Sequence, residues 1–346
     1  MGIELRGITK TYGDFSLSVD LRVEDAEILA LVGPSGCGKT TVLNIIAGLT
    51  EPDEGEIIVN GNIVNAVSPW KRNISVVFQD LSLFPHLNVG SNIAYGPFIH
   101  GIPKNERLAL VKEKLALVGL EGYEKRPVYT LSGGERQRAA IARALAASPD
   151  ALLLDEPFSS LDAPLRRRLR LEFLDIRRGK GGNDPSPPTP SKTRCPCIFV
   201  THDREEAAVI AGRIALMKDG RILETGAARE IFQKPKTPFG AGFFGRGSVL
   251  PCGLFIPKDA VSLNSNTVDS NTVDSNTVPL RAVVHSSVFE GDRIAVEFEV
   301  PLPGRTKGAI LSAELSGRAE PPVPGNEVTV HIRRDLVYML TPPNPA

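Results

Sequence analysis

A glycine-rich segment, Gly33-Pro-Ser-Gly-Cys-Gly-Lys39-Thr40, follows the apolar run Ile28–Val32 and opens a stretch with helical spacing. Glycines let a backbone curl so that successive N–H groups point at one anion, and a helix beginning there adds the positive end of its dipole. The lysine supplies a charge for β- and γ-phosphates, and the threonine hydroxyl can ligate Mg²⁺. The segment predicts a nucleotide phosphate site rather than an ordinary glycine turn. The candidate residues are Gly33, Pro34, Ser35, Gly36, Cys37, Gly38, Lys39, Thr40 and Thr41.

Two carboxylates stand at the end of another apolar run. Asp155 and Glu156 follow Ala151–Leu154 directly. The first can hold Mg²⁺ through its oxygens, and the second can polarise a water for in-line attack on a γ-phosphorus. Alone this signal is weak, because many apolar strands end in aspartate. Together with the glycine-rich segment it predicts hydrolysis of a nucleoside triphosphate.

The chain changes character at about residue 237. Before this point short apolar runs alternate with helical stretches, the pattern of a parallel sheet in an α/β domain. Afterwards short strand-like runs are separated by Gly and Pro, the pattern of a small all-β barrel or sandwich. The predicted central strands are Ile28–Val32, Ile74–Phe78, Ala151–Leu154 and Ile198–Thr201, and the later strands are Arg293–Val300, Asn326–Arg333 and Leu336–Leu340.

Two stretches have the composition of exposed loops. The segment 179–194 is crowded with Gly, Pro, Ser, Thr and Lys, a composition that cannot bury a core. The segment 264–278 repeats Asn-Thr-Val-Asp-Ser, a period that fits neither a helix nor a solenoid. We interpret the first as an insertion in the α/β domain and the second as a low-complexity loop in the β domain.

Bulk properties narrow the function classes. Lys plus Arg and Asp plus Glu both total 40, so the formal net charge is zero, whereas nucleic-acid binding usually brings a basic excess. No apolar run approaches the ~20 residues of a membrane span, and the N-terminal sequence lacks the pattern of a secretory signal. The four cysteines are scattered apart from one C-x-C pair, which indicates reduced cytosolic thiols rather than a zinc site.

The string Leu131-Ser-Gly-Gly-Glu-Arg-Gln-Arg138 precedes a stretch with helical spacing. Helix capping accounts for Ser132 but gives no reason for the rest of the string. With it, the chain resembles the ATP-binding cassette (ABC) family, and the resemblance covers roughly residues 3–237. Further motifs follow in family order, namely Tyr12 near the start, Gln79 after a strand, Ser159-Ser-Leu-Asp162 after Glu156, and His202 after Ile198–Thr201.

The resemblance implies a P-loop ATPase of mainly parallel sheet with a helical subdomain (1–237), followed by a barrel-like β domain (238–346). In this family two cassettes pair head to tail, and each ATP lies between one glycine-rich loop and the partner's signature string. The family roles carry over as follows: Glu156, His202 and Gln79 to catalysis; Thr40, Gln79 and Asp155 to Mg²⁺; Tyr12 to adenine stacking; Ser132, Gly133 and Gly134 to ATP in trans; and Asp162 to the dimer interface. Singly, Tyr12 could be strand packing, Gln79 a solvated strand end and His202 a helix cap.

The family also implies partners that the chain does not contain. We expect a homodimer at the cytoplasmic face of the cell membrane, bound to integral membrane permease subunits and working with an extracytoplasmic solute-binding protein, without nucleic acid. The stretch Asp80–Tyr95 shows no clear helix or strand period, and we favour a permease contact over a core loop. The C-terminal region and Ser82–Ala94 resemble importers of the ferric iron, polyamine and sulfate group, with ferric iron and polyamine preferred. The alternatives are a soluble ABC ATPase acting on nucleic acid or ribosomes, and a nucleotide-binding regulator without turnover.

One further expectation concerns Cys37. This residue lies at a predicted helix N-terminus beside Lys39, and both features lower a thiol pKa. The other interpretation is a small buried side chain that fills space.

Overall fold

The computed structural model describes residues 2–159, 161–178, 195–244, 247–263, 276–301, 308–316 and 319–340. The chain forms two compact units, Met1–Ala228 and Arg229–Ala346. The predicted insertion 179–194, and the predicted low-complexity loop up to residue 275, lie outside the described residues. Among the described residues, no helix combines the length and the apolar character needed to cross a membrane.

A mixed sheet of ten strands forms the frame of the first unit, in the order β5-β4-β1-β2-β10-β9-β3-β8-β7-β6. The pairs from β9 to β6 are parallel and form the half that carries the site. The strands are β1 Gly2–Tyr12, β2 Phe15–Glu24, β3 Ile28–Val32, β4 Glu54–Val59, β5 Asn62–Ile63, β6 Ile74–Val77, β7 Ala151–Asp155, β8 Cys197–Thr201, β9 Arg213–Lys218 and β10 Arg221–Ala227.

The parallel half of the sheet is buried on both faces. Every residue of β7 and β8 is buried, as near-continuous apolar runs in a parallel sheet require. The four predicted central strands are confirmed as β3, β6, β7 and β8, with bounds that differ by at most one residue at either end. Their apolar runs identified them because no polar face was present to blur the pattern.

Helices cover both faces of this sheet. The first, α1, packs Val42, Leu43, Ile45 and Ile46 into the core on one face, while α2 to α5 contribute to the core on the other. The helices of the first unit are α1 Lys39–Ala47, α2 Val89–Ile99, α3 Lys104–Leu117, α4 Gly133–Ala146, α5 Ala163–Arg178 and α6 Arg204–Ile210.

The stretch Asp80–Tyr95 showed no clear helix or strand period in the sequence, yet its second half, from Val89 onward, belongs to helix α2. The Asn88 side chain caps this helix by accepting a hydrogen bond from Ser91 N at 2.7 Å. Pro97 lies inside the helix and two glycines weaken its apolar pattern, so the sequence showed no clear period.

The second unit is built from two antiparallel sheets, in the orders β13-β17-β14-β15-β16 and β11-β12-β18. This confirms the predicted barrel-like β domain, whose core includes Phe298, Val296 and Val330. The elements are α7 Ala228–Gln233, α8 Pro238–Phe244, β11 Gly247–Val249, β12 Leu254–Pro257, β13 Val261–Leu263, β14 Thr277–Phe289, β15 Arg293–Val300, β16 Ala309–Ser316, β17 Glu327–Arg333 and β18 Tyr338–Met339.

Two boundaries in this unit differ from the sequence expectation. Thr277 and Val278 belong to β14 and pair with β17, so the low-complexity loop ends before them. Only Tyr338 and Met339 of the predicted strand Leu336–Leu340 are extended in the sheet, because a 3-10 turn occupies its beginning. Valine and threonine at the end of the repeat favour a strand, and pairing with β17 satisfies their backbone groups.

Candidate functional site

Four parallel strands bring the predicted residues of the phosphate site to one edge of the sheet. Val32 at the end of β3 pairs with Thr201 at the end of β8, and Asp155 at the end of β7 pairs with Val200. Strand β6 continues this order beside β7. Open α/β sheets place their chemistry at the carboxyl ends of such strands. The segments that follow these ends are the loop 33–40, Glu156, His202 and Gln79.

The loop 33–40 presents the N-terminus of α1. Gly38 is the N-cap residue at φ 104°, and within the described part of the chain no side chain caps this helix. The first amides of a helix have no intrahelical partner and lie at the positive end of its dipole. At Gly33 a Cβ would collide with the carbonyl oxygen of Met217, so this position requires glycine. The loop therefore offers bare backbone N–H groups to an anion.

Lys39 places its ammonium group inside this loop. The side chain is 6% exposed, and its Nζ donates to the carbonyl oxygens of Gly33 at 2.9 Å and Pro34 at 2.8 Å. These two bonds fold the lysine back over the loop whose amides face the anion. The charge thus lies where a phosphate chain on the loop would meet it.

Cys37 contradicts the expectation of a thiolate. Burial raises the pKa of its thiol, and the opposing influence of the Lys39 ammonium, 3.8 Å from Sγ, is the smaller one. The side chain is buried and packs beneath Gly33. Desolvation disfavours the charged form more than the lysine and the helix dipole favour it. The space-filling interpretation is therefore the better one.

Asp155 and Thr40 bring two oxygen donors together at the end of β7. The Thr40 hydroxyl lies 3.3 Å from Asp155 Oδ1. Burial raises the pKa of Asp155, and the Glu156 carboxylate adds to this, while the Thr40 hydrogen bond and Lys39 oppose it. A hydroxyl and a carboxylate are the hard ligands that Mg²⁺ takes. A buried carboxylate held by a single hydroxyl fits a cation beside it.

Glu156 occupies an unusual backbone conformation. Its φ is 45°, in the left-handed region, although it carries a side chain and precedes proline. Both features disfavour that region, and such strain concentrates at functional sites. The turn aims the carboxylate at the neighbouring strand end, where Oε1 lies 2.9 Å from Nδ1 of His202. This pair is the only contact between a carboxylate and a histidine that the described residues contribute to this edge.

An ionic network between α5 and α6 supports the segment 201–206, which carries His202. Arg170 on α5 contacts Asp203 at 2.8 Å and Glu206 at 3.0 Å. The Thr201 hydroxyl donates to Glu206 at 2.6 Å and accepts from Asp203 N at 3.0 Å. Because these residues flank His202 on both sides, the network fixes the backbone that carries the imidazole. Sequence reasoning missed it; the available signal was acidic residues in the first turn of α6 combined with an arginine-rich α5.

Gln79 lies exposed in the turn after β6, beside the strand that carries Asp155. The loop that follows is strained, with Leu81 at φ 63° and Ser82 at φ 42°. The guanidinium of Arg143 on α4 donates to the carbonyl oxygens of both, at 3.1 Å and 2.6 Å. The loop leading away from Gln79 is therefore fastened to the helix of the signature string.

Tyr12 lies at the tip of the β1–β2 hairpin and is 47% exposed. Lys10 stands 5.6 Å from its ring centroid and forms an ion pair with Asp53 at 2.7 Å. Opposite Tyr12 in the hairpin is Phe15, whose ring approaches Gly38 so closely that a Cβ there would meet it at 2.9 Å. The hairpin thus packs Phe15 against the phosphate loop and leaves the Tyr12 ring exposed at its tip. Phe15 was missed from sequence, because hairpin register was not predicted.

The signature turn is built on α4, away from the phosphate loop. Ser132 and Glu135 form a capping box, in which Ser132 N donates to the glutamate at 2.7 Å and Glu135 N to the serine hydroxyl at 3.3 Å. Gly133 and Gly134 face leucines at the start of α5 and in the loop before it. In the described part of the chain, the hydrogen bonds and glycine contacts of this turn involve α4, α5 and the loop before α5, not the loop 33–40. Ser132 and Asp162 are both exposed.

A group of aromatic side chains lies at the surface between β6 and α2. Phe84 and Tyr95 have ring centroids 4.6 Å apart, and His86 lies 6.1 Å from Phe84. The buried Asn92 holds this segment by bonding to Phe84 N at 2.8 Å and Phe84 O at 3.1 Å. Phe98, farther along α2, is 57% exposed. The permease contact predicted for this region stays a prediction.

Comparisons with known proteins show what this chain is similar to. A family model described as ABC transporter matches residues 17–159. The chain is 44% identical over 253 residues to a sulfate/thiosulfate import ATP-binding protein of Synechocystis sp., which covers 72% of this chain and 68% of that protein. It is 42% identical over 320 residues to a spermidine/putrescine import ATP-binding protein of Acidothermus cellulolyticus, covering 91% and 74%. It is 39% identical over 251 residues to an Fe(3+) ions import ATP-binding protein of Escherichia coli, covering 72% and 68%.

Proposed function

The chain belongs to the ABC transporter family as an import ATP-binding subunit, and we propose that it drives import by hydrolysing ATP at the edge where Lys39, Asp155, Glu156 and His202 meet. The observation that carries this assignment is the Glu156–His202 pair at 2.9 Å, on the strand ends beside the phosphate loop. A loop that only bound nucleotide would not require a strained glutamate facing a histidine.

In this proposal each residue of the site binds a different part of ATP or the magnesium ion. The loop amides and Lys39 bind the β- and γ-phosphates, and Tyr12 stacks on the adenine. Mg²⁺ would neutralise phosphate charge, and Thr40, Asp155 and Gln79 are the oxygen donors that would hold it.

The acid–base step uses the free oxygen of the glutamate. Glu156 Oε2 accepts a proton from the attacking water, whose oxygen bonds to the γ-phosphorus as the bond to the ADP oxygen breaks. The His202 Nδ1–H donates to Oε1, which fixes the carboxylate. A contact between Nε2 and a γ-phosphate oxygen would require an N–H at Nε2 as well, as in an imidazolium. The proton then leaves with the phosphate product or to solvent.

We propose that two copies of the chain form the working unit. The exposed Ser132, with Gly133 and Gly134, lies on α4 rather than at the phosphate loop, so a partner's turn would have to complete each site. A helix N-terminus with a serine cap suits a γ-phosphate. Asp162, exposed before α5, would lie at the interface.

The same proposal places the dimer at the cytoplasmic face of the membrane. Permease subunits would bind the aromatic group at Phe84, and an extracytoplasmic binding protein would supply the solute. We propose ferric iron or a polyamine as that solute, on the likeness of Ser82–Ala94 to importers of those solutes. Action on nucleic acid is disfavoured by the zero formal net charge and by relatives that are import proteins.

The decisive experiment is Glu156→Gln in the purified chain. The amide cannot accept the water proton, so kcat should fall by about 100-fold or more, while ATP affinity stays within about threefold of wild type. The variant should accumulate as a dimer in ATP, which size-exclusion chromatography with light scattering would show. Lys39→Ala is the matched control, since it should lose affinity and not dimerise. Steady-state hydrolysis within about threefold of wild type, under ~1 kcal/mol of barrier, would refute the role of Glu156.

The solute is tested separately. The chain, its permease and its binding protein are reconstituted in liposomes. ATP hydrolysis is then measured with Fe³⁺, spermidine or sulfate on the side of the membrane that holds the binding protein. Stimulation by Fe³⁺ or spermidine supports the proposal, and stimulation by sulfate alone contradicts it.

A further inference from the structure

Hydrogen bonds from several elements hold the strained turn at Glu156. The backbone N–H of Glu156 donates to Val200 O at 3.0 Å, and its carbonyl accepts from the Ser159 hydroxyl at 2.9 Å. The next carbonyl, that of Pro157, accepts from the side-chain amide of Gln137 at 2.6 Å. A left-handed residue before proline persists only where its surroundings hold it.

Gln137 is an unusual residue for its position. It lies on α4 with 1% exposure, and the core to which α4 contributes is built from apolar side chains. Its Oε1 is buried and has no hydrogen-bond partner among the described residues. An apolar side chain would fill this volume without leaving an amide oxygen unsatisfied. What the amide alone supplies is the N–H donated to Pro157.

The same helix carries the signature turn. Ser132, Gly133 and Gly134 lie one turn before Gln137, and Gly134 packs against the leucines of α5. The bond from Gln137 to Pro157 therefore joins α4 to the peptide that follows Glu156. In the proposed dimer, α4 would contact the ATP of the partner's phosphate loop, and Glu156 would act on the ATP of its own chain's loop.

We propose that Gln137 is a positioning residue, which holds Pro157 and thereby sets the Glu156 carboxylate against His202. This inference rests on the proposed function, because it needs Glu156 to be the base. Loss of the Gln137 donor lets the turn relax toward an extended conformation. The carboxylate then moves from the place where it meets His202 and the attacking water.

The test compares three variants by kcat, KM for ATP, and Tm. Gln137→Met keeps the side-chain length without the donor, and we expect kcat to fall about tenfold with KM unchanged, since a ~1 Å misplacement costs up to about 100-fold. Gln137→His keeps an N–H donor at the reach of Nε2, and should retain kcat within about threefold even where the ring lowers Tm. Activity should therefore follow the donor and not the stability.

Ser75→Ala is the matched control. The Ser75 hydroxyl donates to Ala144 O at 2.9 Å, so this variant also removes one neutral hydrogen bond between α4 and the sheet, far from Glu156. It should lower Tm with kcat unchanged. The inference is overturned if Gln137→Met has wild-type kcat, or if kcat falls with Tm across all three variants.

Mixed dimers locate the effect. One chain carries Lys39→Ala and the other Ser132→Arg, so that only the second chain's own Glu156 acts. Adding Gln137→Met to the Ser132→Arg chain should lower the remaining activity about tenfold, and adding it to the Lys39→Ala chain should not. The reverse pattern, or equal losses, would show that Gln137 acts elsewhere. An active Glu156→Gln variant would instead refute the proposed function itself.

Discussion

His202 Nδ1 lies 2.9 Å from Glu156 Oε1, although the two residues are 46 positions apart in the chain. Each follows directly on a buried strand, and β7 and β8 are neighbours in the sheet. The imidazole is 57% exposed and the carboxylate 20% exposed, so the pair is accessible from solvent while the strands that carry it are buried. The two side chains therefore act as one unit, and replacing either should disturb the other.

His202→Ala tests this unit. The carboxylate loses the group that orients it, and we expect kcat to fall by about 100-fold with ATP affinity nearly unchanged. The double variant His202→Ala/Glu156→Gln should be no slower than Glu156→Gln alone, because residues of one unit are not additive. Glu205→Ala, exposed in the same segment, is the control. Additive losses in the double variant would show that the two residues act independently.

Asp155→Asn should separate stability from activity. The pKa of Asp155 is raised by burial, so its ionised form weakens the folded state at neutral pH. The neutral amide should raise Tm in the absence of nucleotide, while hydrolysis falls by about 100-fold with the loss of an electrostatic contact. The Tm difference should shrink as pH falls toward the raised pKa, where the wild-type side chain becomes neutral too.

Differential scanning fluorimetry from pH 8 to pH 5, with ATPase assays, measures both effects. Asp150→Asn, exposed just before β7, controls for the loss of a surface carboxylate. A lower Tm for Asp155→Asn at neutral pH would contradict the assignment.

The sequence predicted the central strands and the phosphate loop because both signals are local. Continuous apolar runs mark strands buried on both faces, and a glycine loop between strand and helix has few other uses. Glu156 was predicted from the carboxylates that end its apolar run, whereas His202 was predicted only from the resemblance to the ABC family. Short strands after residue 237, such as Arg293–Val300, were recognised as apolar runs separated by Gly and Pro, whereas the longer β14 was not predicted.

The supports of the site could not be predicted in this way. The bonds from Gln137 to Pro157 and from Arg170 to Glu206 join residues on different elements, and neither partner has a distinctive local pattern. Cys37 shows the converse limit. Its local features, a helix end and a lysine, are present, but burial in the packed loop decides its pKa.

Arg170→Met measures the network beneath His202. Removing Arg170 leaves the buried carboxylate of Glu206 with only the more distant Arg166 guanidinium, 4.0 Å away, and we expect a loss of up to about 3 kcal/mol of the free energy of unfolding. Arg168→Met on the same helix is the control, because its ion pair with Glu172 is exposed and is worth only about 0.3–0.5 kcal/mol. Chemical denaturation of the two variants measures the difference. Equal losses would show that the Arg170 network is no stronger than a surface pair.

The last prediction concerns the order in which the cysteines react with a thiol reagent. Cys252 is exposed, whereas Cys37, Cys195 and Cys197 are buried. Burial raises the pKa of Cys37, and raises that of Cys197 to about 12, so the reactive thiolate is scarce at both near neutral pH.

N-Ethylmaleimide at pH 7.5 should therefore label Cys252 at least about tenfold faster than Cys37, as mass spectrometry of digested chain would show, and this first labelling should leave ATP hydrolysis intact. Cys252→Ser should remove the fast phase and nothing else. Raising the pH toward the pKa of Cys37 should speed its labelling, and bound ATP should slow it by covering the loop. Rapid loss of hydrolysis that persists in Cys252→Ser and vanishes in Cys37→Ser would show instead that the Cys37 thiol is accessible and activated, and that burial does not control it.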